Sequence, residues 1–168
     1  GWTPWRFPCA PHPHNPKGGH HLLAAERGNR PEDAVLTMVC SRGQDGLLDD
    51  LPPGVEVRSG LSSVQLWEEY CKAHCFVLPS LVEGFGLVLL EALSAGCYTI
   101  FSENTGFADI GLSEDIGMQC HPGNTASLAQ ALDRSAELFA RGAIDHEAHR
   151  SLSTPLPAAT ARRAGRAG

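Results

Sequence analysis

Two glutamates, Glu83 and Glu91, stand on either side of a glycine-rich turn. Residues 79–96 read PSLVEGFGLVLLEALSAG. Gly84 and Gly86 bracket a strand-to-helix turn, so backbone N–H groups there can approach a ligand closely. The first turn of the helix that follows leaves N–H groups unpaired and presents the positive end of the helix dipole, a site of the kind that accepts phosphate. Carboxylates accept hydrogen bonds from hydroxyls. Hydroxyls and phosphates together describe a nucleotide-diphosphate sugar. The helix is apolar almost all round (Leu87 to Leu90, Ala92, Leu93, Ala95), which predicts burial, with Glu91 as its only charge. A buried carboxylate needs partners, each hydrogen bond to it contributing roughly 1.5–3 kcal/mol. Taken alone, Glu91 reads as an ion-pair partner or a solvent-facing edge. With Glu83 before the same turn, it reads as a ligand contact.

Other reactive side chains carry weaker signals. His12, His14, His20 and His21 crowd a short stretch, but His20 and His21 are adjacent on a helix and point in different directions. No paired-cysteine spacing supports a zinc site. They read as solvent-exposed histidines, and no metal is expected. Cys71 and Cys75 sit at i, i+4 near a helix end and read as small core residues rather than a redox pair. Trp67 and Tyr70 read as packing residues rather than a sugar platform.

The elements that must position the turn follow from apolar runs. Strands are expected at Val35–Cys40, Val55–Val57, Cys75–Leu78, Thr99–Phe101 and Met118–Cys120, with a short one at Arg6–Ala10. Helices are expected from Gly18 to Arg27, from Ser62 with Gln65 in capping-box spacing, from Gly86 to Ala95 with Gly96 just beyond its end, and after the cap Asn124. The last carries Leu128, Ala131, Leu132, Ala136 and Phe139 on one face. Strands apolar on both faces, alternating with helices, mark a mostly parallel sheet covered on both sides. The fold class is therefore α/β, a Rossmann-like three-layer sandwich, with the glycine-rich turn at the carboxyl end of a strand, where such sheets bind ligands.

The 168 residues suit one domain, and 42% hydrophobic with 19% charged residues suits a packed core. No apolar run is long enough to span a membrane. The net charge is −6, and three of the basic residues (Arg162, Arg163, Arg166) lie at the very end. An acidic body argues against nucleic acid as a partner. Six scattered cysteines read as free thiols, and no signal-peptide pattern precedes them, so a cytoplasmic setting is expected. Residues 1–153 are assigned to the domain and 154–168 (TPLPAATARRAGRAG) to a disordered tail. The chain opens Gly1-Trp2-Thr3 without an initiator Met, which reads as a fragment.

Glu83-Gly84-Phe85-Gly86, Leu87 to Leu90 and Glu91-Ala92 resemble the E-x7-E motif of retaining GT-B glycosyltransferases, group 1 or family four. Further elements are similar in the same order. They are Pro16-Lys17-Gly18 with Leu22-Leu23, Tyr70-Cys71-Lys72-Ala73 leading to Pro79-Ser80, and His121-Pro122-Gly123-Asn124 with Ala126 to Leu132. The resemblance covers about residues 7–141. It implies the carboxyl-terminal, donor-binding half of such an enzyme, of hexosyltransferase type, with a nucleotide-diphosphate sugar as substrate and neither cofactor nor metal. By the same resemblance Glu83 contacts the donor sugar, and Glu91 holds the ribose hydroxyls. The loop amides of Phe85, Gly86 and Leu87, with Gly84, touch the sugar or phosphates. Lys17 neutralises the leaving diphosphate, and Leu61 neighbours the base.

The chain also departs from that pattern. Pro11 replaces an arginine before Lys17, Cys97-Tyr98 replaces a small residue and proline, and Asp109 replaces a glutamate. The resemblance implies a further amino-terminal acceptor domain, in cis or on a partner chain. The alternatives are a nucleotide-sugar binding module without catalysis and a truncated, inactive fragment.

Overall fold

The computed structural model describes residues 17–26, 34–40, 51–81 and 86–145. The expected strand at Arg6–Ala10 and the tail assigned to 154–168 lie outside them. The elements run α1 (Lys17–Glu26), β1 (Leu36–Cys40), β2 (Val55–Ser59), α2 (Ser63–Lys72), β3 (Cys75–Leu78), α3 (Leu87–Ser94), β4 (Tyr98–Ser102), β5 (Gly117–Cys120) and α4 (Thr125–Ala140). A five-residue 3-10 helix, Gly106–Ile110, follows β4.

Among the described residues the paired strands run parallel. β1 pairs with β2, and β3, β4 and β5 form a sheet in that order. β3 and β4 are buried along their whole length, as expected for strands covered on both faces. β2 is more open, with Glu56, Arg58 and Ser59 exposed, and Gln119 of β5 is exposed as well.

Two apolar clusters lie against the strands. One joins Leu36 and Met38 of β1 to Val77, Ile100, Leu22 of α1, and Leu128 and Ala131 of α4. The other joins Phe76, Leu78 and Phe101 to Tyr70 of α2 and to Leu89 and Ala92 of α3. Alternate residues of β3, Phe76 and Leu78 against Cys75 and Val77, thus feed opposite layers. The result is an α/β three-layer arrangement. At Gly19 of α1 a Cβ would come within 3.2 Å of the Met38 side chain, so the missing side chain lets the helix lie close on β1.

The caps form as their spacing predicts. The Ser62 hydroxyl accepts from Gln65 N, and Gln65 Oε1 accepts from Ser62 N at 2.9 Å, completing a capping box on α2. Asn124 accepts from Ser127 N at 3.0 Å to open α4. Gly96 takes a left-handed φ of 91° just after α3. Cys75 and Cys120 are buried free thiols, Cys97 is buried with its Sγ 3.2 Å from Tyr70 O, and Cys71 is half-buried.

Candidate functional site

The site is built at the carboxyl ends of β3, β4 and β5. Chain leaving β3 passes Pro79, Ser80 and Leu81 and re-enters the described structure at Gly86. This glycine is buried and has φ 76° and ψ 48°, a left-handed conformation that disfavours any residue with a Cβ. It opens α3 without a side-chain cap, so the first-turn amides of Leu87 and Val88 have no side-chain acceptor from the cap. Leu89 N donates to Gly86 O at 2.8 Å, closing the first turn.

α3 is not buried all round, which corrects the sequence expectation. Leu89 and Ala92 face the core, whereas Leu87 is 66% and Leu90 38% exposed, and Glu91 is exposed beside them. These three positions, i, i+3 and i+4, form one stripe of the helix. Glu91 therefore carries no burial cost, and its carboxylate faces outward from the same stripe as Leu87. Its charge still reaches the core: burial raises the Tyr70 phenol well above its ordinary range, and Glu91 adds to that shift. The Tyr70 hydroxyl is buried with no hydrogen-bond partner among the described residues.

Lys17 is the first residue of α1. One turn later, His21 Nδ1 lies 3.1 Å from Thr125 Oγ1 at the start of α4. A Cβ on Gly123 would lie 3.0 Å from Leu81 Cδ2 and 4.0 Å from His21 Nε2. Three segments thus converge: the start of α1, the chain leaving β3, and the turn from β5 into α4. The start of α1 and the start of α3 belong to one end of the sheet. His21 is half-buried and bonded rather than free in solvent, a second correction. Trp67 is a third: it is 38% exposed, whereas Tyr70 is buried as expected.

Leu61 is half-buried between β2 and the cap of α2. Asp109 is exposed within the 3-10 helix. Glu83, Gly84 and Phe85 lie outside the described residues, as do His12 and His14. Among the described residues no group of three or more His, Cys, Asp or Glu is placed to hold a metal ion. None of their helices is long and apolar enough to cross a membrane.

Sequence reading missed the side chains that brace this end of the sheet. Ser102 donates to Ser80 O, Asn104 Nδ2 donates to Leu81 O at 2.7 Å, and His121 Nδ1 lies 2.8 Å from Glu103 Oε1. Their positions at the end of β4 and directly after β4 and β5 were the available signal.

Known proteins share this architecture. A sucrose-phosphate synthase of Thermosynechococcus elongatus superposes over 91% of this chain and 40% of its own, with TM-score 0.68 and 24% identity. The catalytic domain of a cholesterol-alpha-glucosyltransferase of Helicobacter pylori superposes over 89% of this chain and 96% of its own, with TM-score 0.68 and 18% identity. Both likenesses concern the fold, a Rossmann-like half of a GT-B enzyme. In sequence, a glycogen synthase of Mycobacterium tuberculosis is 32% identical over 124 residues, covering 69% of this chain. The chain spans about 30% of that relative's length. The model of the glycosyl transferases group 1 family matches residues 49–138, a stretch that contains both Glu83 and Glu91. Since that stretch is more than half of the sequence, the chain belongs to the group 1 glycosyl transferases.

Proposed function

We propose that this chain is the donor-binding half of a retaining glycosyltransferase of hexosyltransferase type, with residues 1–153 as its domain, and that its substrate is a nucleotide-diphosphate sugar. The observation that carries the reading is the placement of Glu91. It stands exposed one turn beyond the uncapped start of α3, at the carboxyl end of β3. Amides at that start suit a diphosphate, and a carboxylate one turn along suits a pair of ribose hydroxyls.

In this scheme Glu91 holds the ribose and Glu83 orients the donor sugar. Gly84, Phe85, Gly86 and Leu87 bring backbone to the sugar and phosphates, and Leu61 borders the base. Lys17 and the start of α3 stabilise the diphosphate as the glycosidic bond breaks and negative charge develops on it, which is electrostatic stabilisation of a leaving group. No cofactor takes part. The acceptor enters from a further domain, in cis or on a partner chain, which sets its hydroxyl beside the sugar. In support, an Anabaena protein with the same fold was solved in complex with UDP.

The test is a calorimetric and thermal-shift screen against UDP, GDP, ADP and their sugars. Binding of one nucleotide diphosphate is the expected result and identifies the base. No binding to a cooperatively folded sample overturns the reading for this chain. Retention would be read from the anomeric configuration of the product once an acceptor is found. A module that binds the nucleotide sugar without transferring it is the second reading. Pro11 favours it, standing where the resembling family has an arginine beside the diphosphate.

A further inference from the structure

The ladder between β3 and β4 ends at Leu78 opposite Phe101. The next residue of the outgoing chain is Pro79, which has no N–H to donate. Beyond it, side chains take the place of the backbone. Ser102, fully buried, donates its hydroxyl to Ser80 O, and Asn104 Nδ2 donates to Leu81 O at 2.7 Å. The segment bearing these donors is itself fixed. Thr105 donates through both its backbone N, at 3.1 Å, and its hydroxyl, at 3.0 Å, to Ser102 O. Glu103 N donates to Cys120 O at 3.1 Å, and the Glu103 carboxylate meets His121 Nδ1 at 2.8 Å. The exit of β5 therefore braces the exit of β4, which in turn holds the chain leaving β3.

We propose that Ser102 and Asn104 are positioning residues for the donor site: their side chains latch the carbonyls of Ser80 and Leu81 and so fix the chain that enters the glycine-rich turn. This inference rests on the proposed donor site at that turn. The latch acts on the side of the site assigned to sugar and diphosphate, while Glu91 stands one turn along α3. Loss of the latch should therefore weaken binding of the diphosphate portion and spare binding through the ribose.

Asn104 is exposed, so Asn104→Leu removes the donor while leaving the core untouched. The experiment measures affinity of wild type, Asn104→Leu and Asn104→Gln for the preferred nucleotide sugar and for the matching nucleoside monophosphate. It also follows backbone amide exchange across residues 81–86. The expected result is an affinity for the nucleotide sugar about three- to tenfold lower in Asn104→Leu, the scale of one hydrogen bond. Monophosphate affinity stays unchanged, exchange across 81–86 is faster, and Asn104→Gln restores much of the loss. Equal loss for both ligands, or no loss for either, overturns the latch. If wild type binds neither ligand, the donor-site reading fails, and the exchange data decide alone. Faster exchange in Asn104→Leu at unchanged Tm upholds the latch, and unchanged exchange overturns it.

Discussion

His21 Nδ1 and Thr125 Oγ1, 104 residues apart in sequence, lie 3.1 Å from one another and tie the second turn of α1 to the first turn of α4. Lys17, which resemblance assigns to the departing diphosphate, opens α1 one turn earlier. Its position relative to the sheet thus depends on a contact made by its neighbour one turn along. Removing one half-buried hydrogen bond costs about 1 kcal/mol. His21→Ala should lower the unfolding free energy measured by urea titration by that amount. If Lys17 acts on the phosphates, it should also lower affinity for a nucleotide diphosphate more than for the nucleoside.

Glu91 separates the functional role from the structural one. Because it is exposed on α3 and shares its stripe with exposed Leu87 and Leu90, Glu91→Gln removes a charge without opening a cavity. Thermal stability should move by less than about 0.5 kcal/mol, as for surface changes generally. Nucleotide affinity should fall about tenfold or more, the cost of losing a charged acceptor for hydroxyls. Parallel melts and titrations check both, and equal loss of stability and binding would make Glu91 a structural residue.

Much of this fold is legible in the sequence because its strands are continuous apolar runs and its helices carry explicit end signals. CFVL gives β3 with its observed bounds, and the Ser62–Gln65 box and Asn124 open α2 and α4 as their chemistry requires. What composition cannot convey is which face of a helix meets a neighbour. α3 is apolar nearly all round, yet only the side bearing Leu89 and Ala92 is packed. The 3-10 helix at Gly106–Ile110 is too short to show a period. At the site, the glycines and glutamates announce themselves by type and spacing. Asn104, Ser102 and His21 do not: each works through a partner far away in sequence, and such pairings exist only once the strands are aligned.

Gly86 tests the turn itself. Its φ of 76° is left-handed, and a Cβ there would stand 3.1 Å from the Leu89 side chain. Gly86→Ala should therefore cost about 1–2 kcal/mol from the backbone conformation alone. It should also shift the start of α3 and weaken nucleotide binding. Gly117→Ala is the control at the far end of the sheet. Its Cβ would meet the Thr99 hydroxyl and stand 3.0 Å from Thr99 O, so overpacking should cost about 1–3 kcal/mol. Binding measured on the folded fraction should be unaffected in Gly117→Ala and reduced in Gly86→Ala.

Alkaline pH should destabilise the fold through its buried acids. Burial pushes the Cys120 thiol from 9.0 up to about 11, with the Glu103 charge adding to the effect. Cys75, Tyr70 and Tyr98 are raised in the same direction, in each case mainly by burial. Between the unfolded and folded values, the unfolded chain releases a proton that the native chain retains. The unfolded state then binds fewer protons, so stability falls as pH rises. Each fully shifted group contributes a slope of at most about 1.4 kcal/mol per pH unit. For Cys120 the stability is fully present below pH 9.0 and is lost as pH rises towards about 11. Cys120→Ala should flatten this part of the profile while lowering stability at neutral pH through the lost packing. Urea titrations of both proteins at pH 8 and pH 10.5 compare the two slopes. Equal slopes would mean that the Cys120 thiol titrates in the native protein as it does in the unfolded chain.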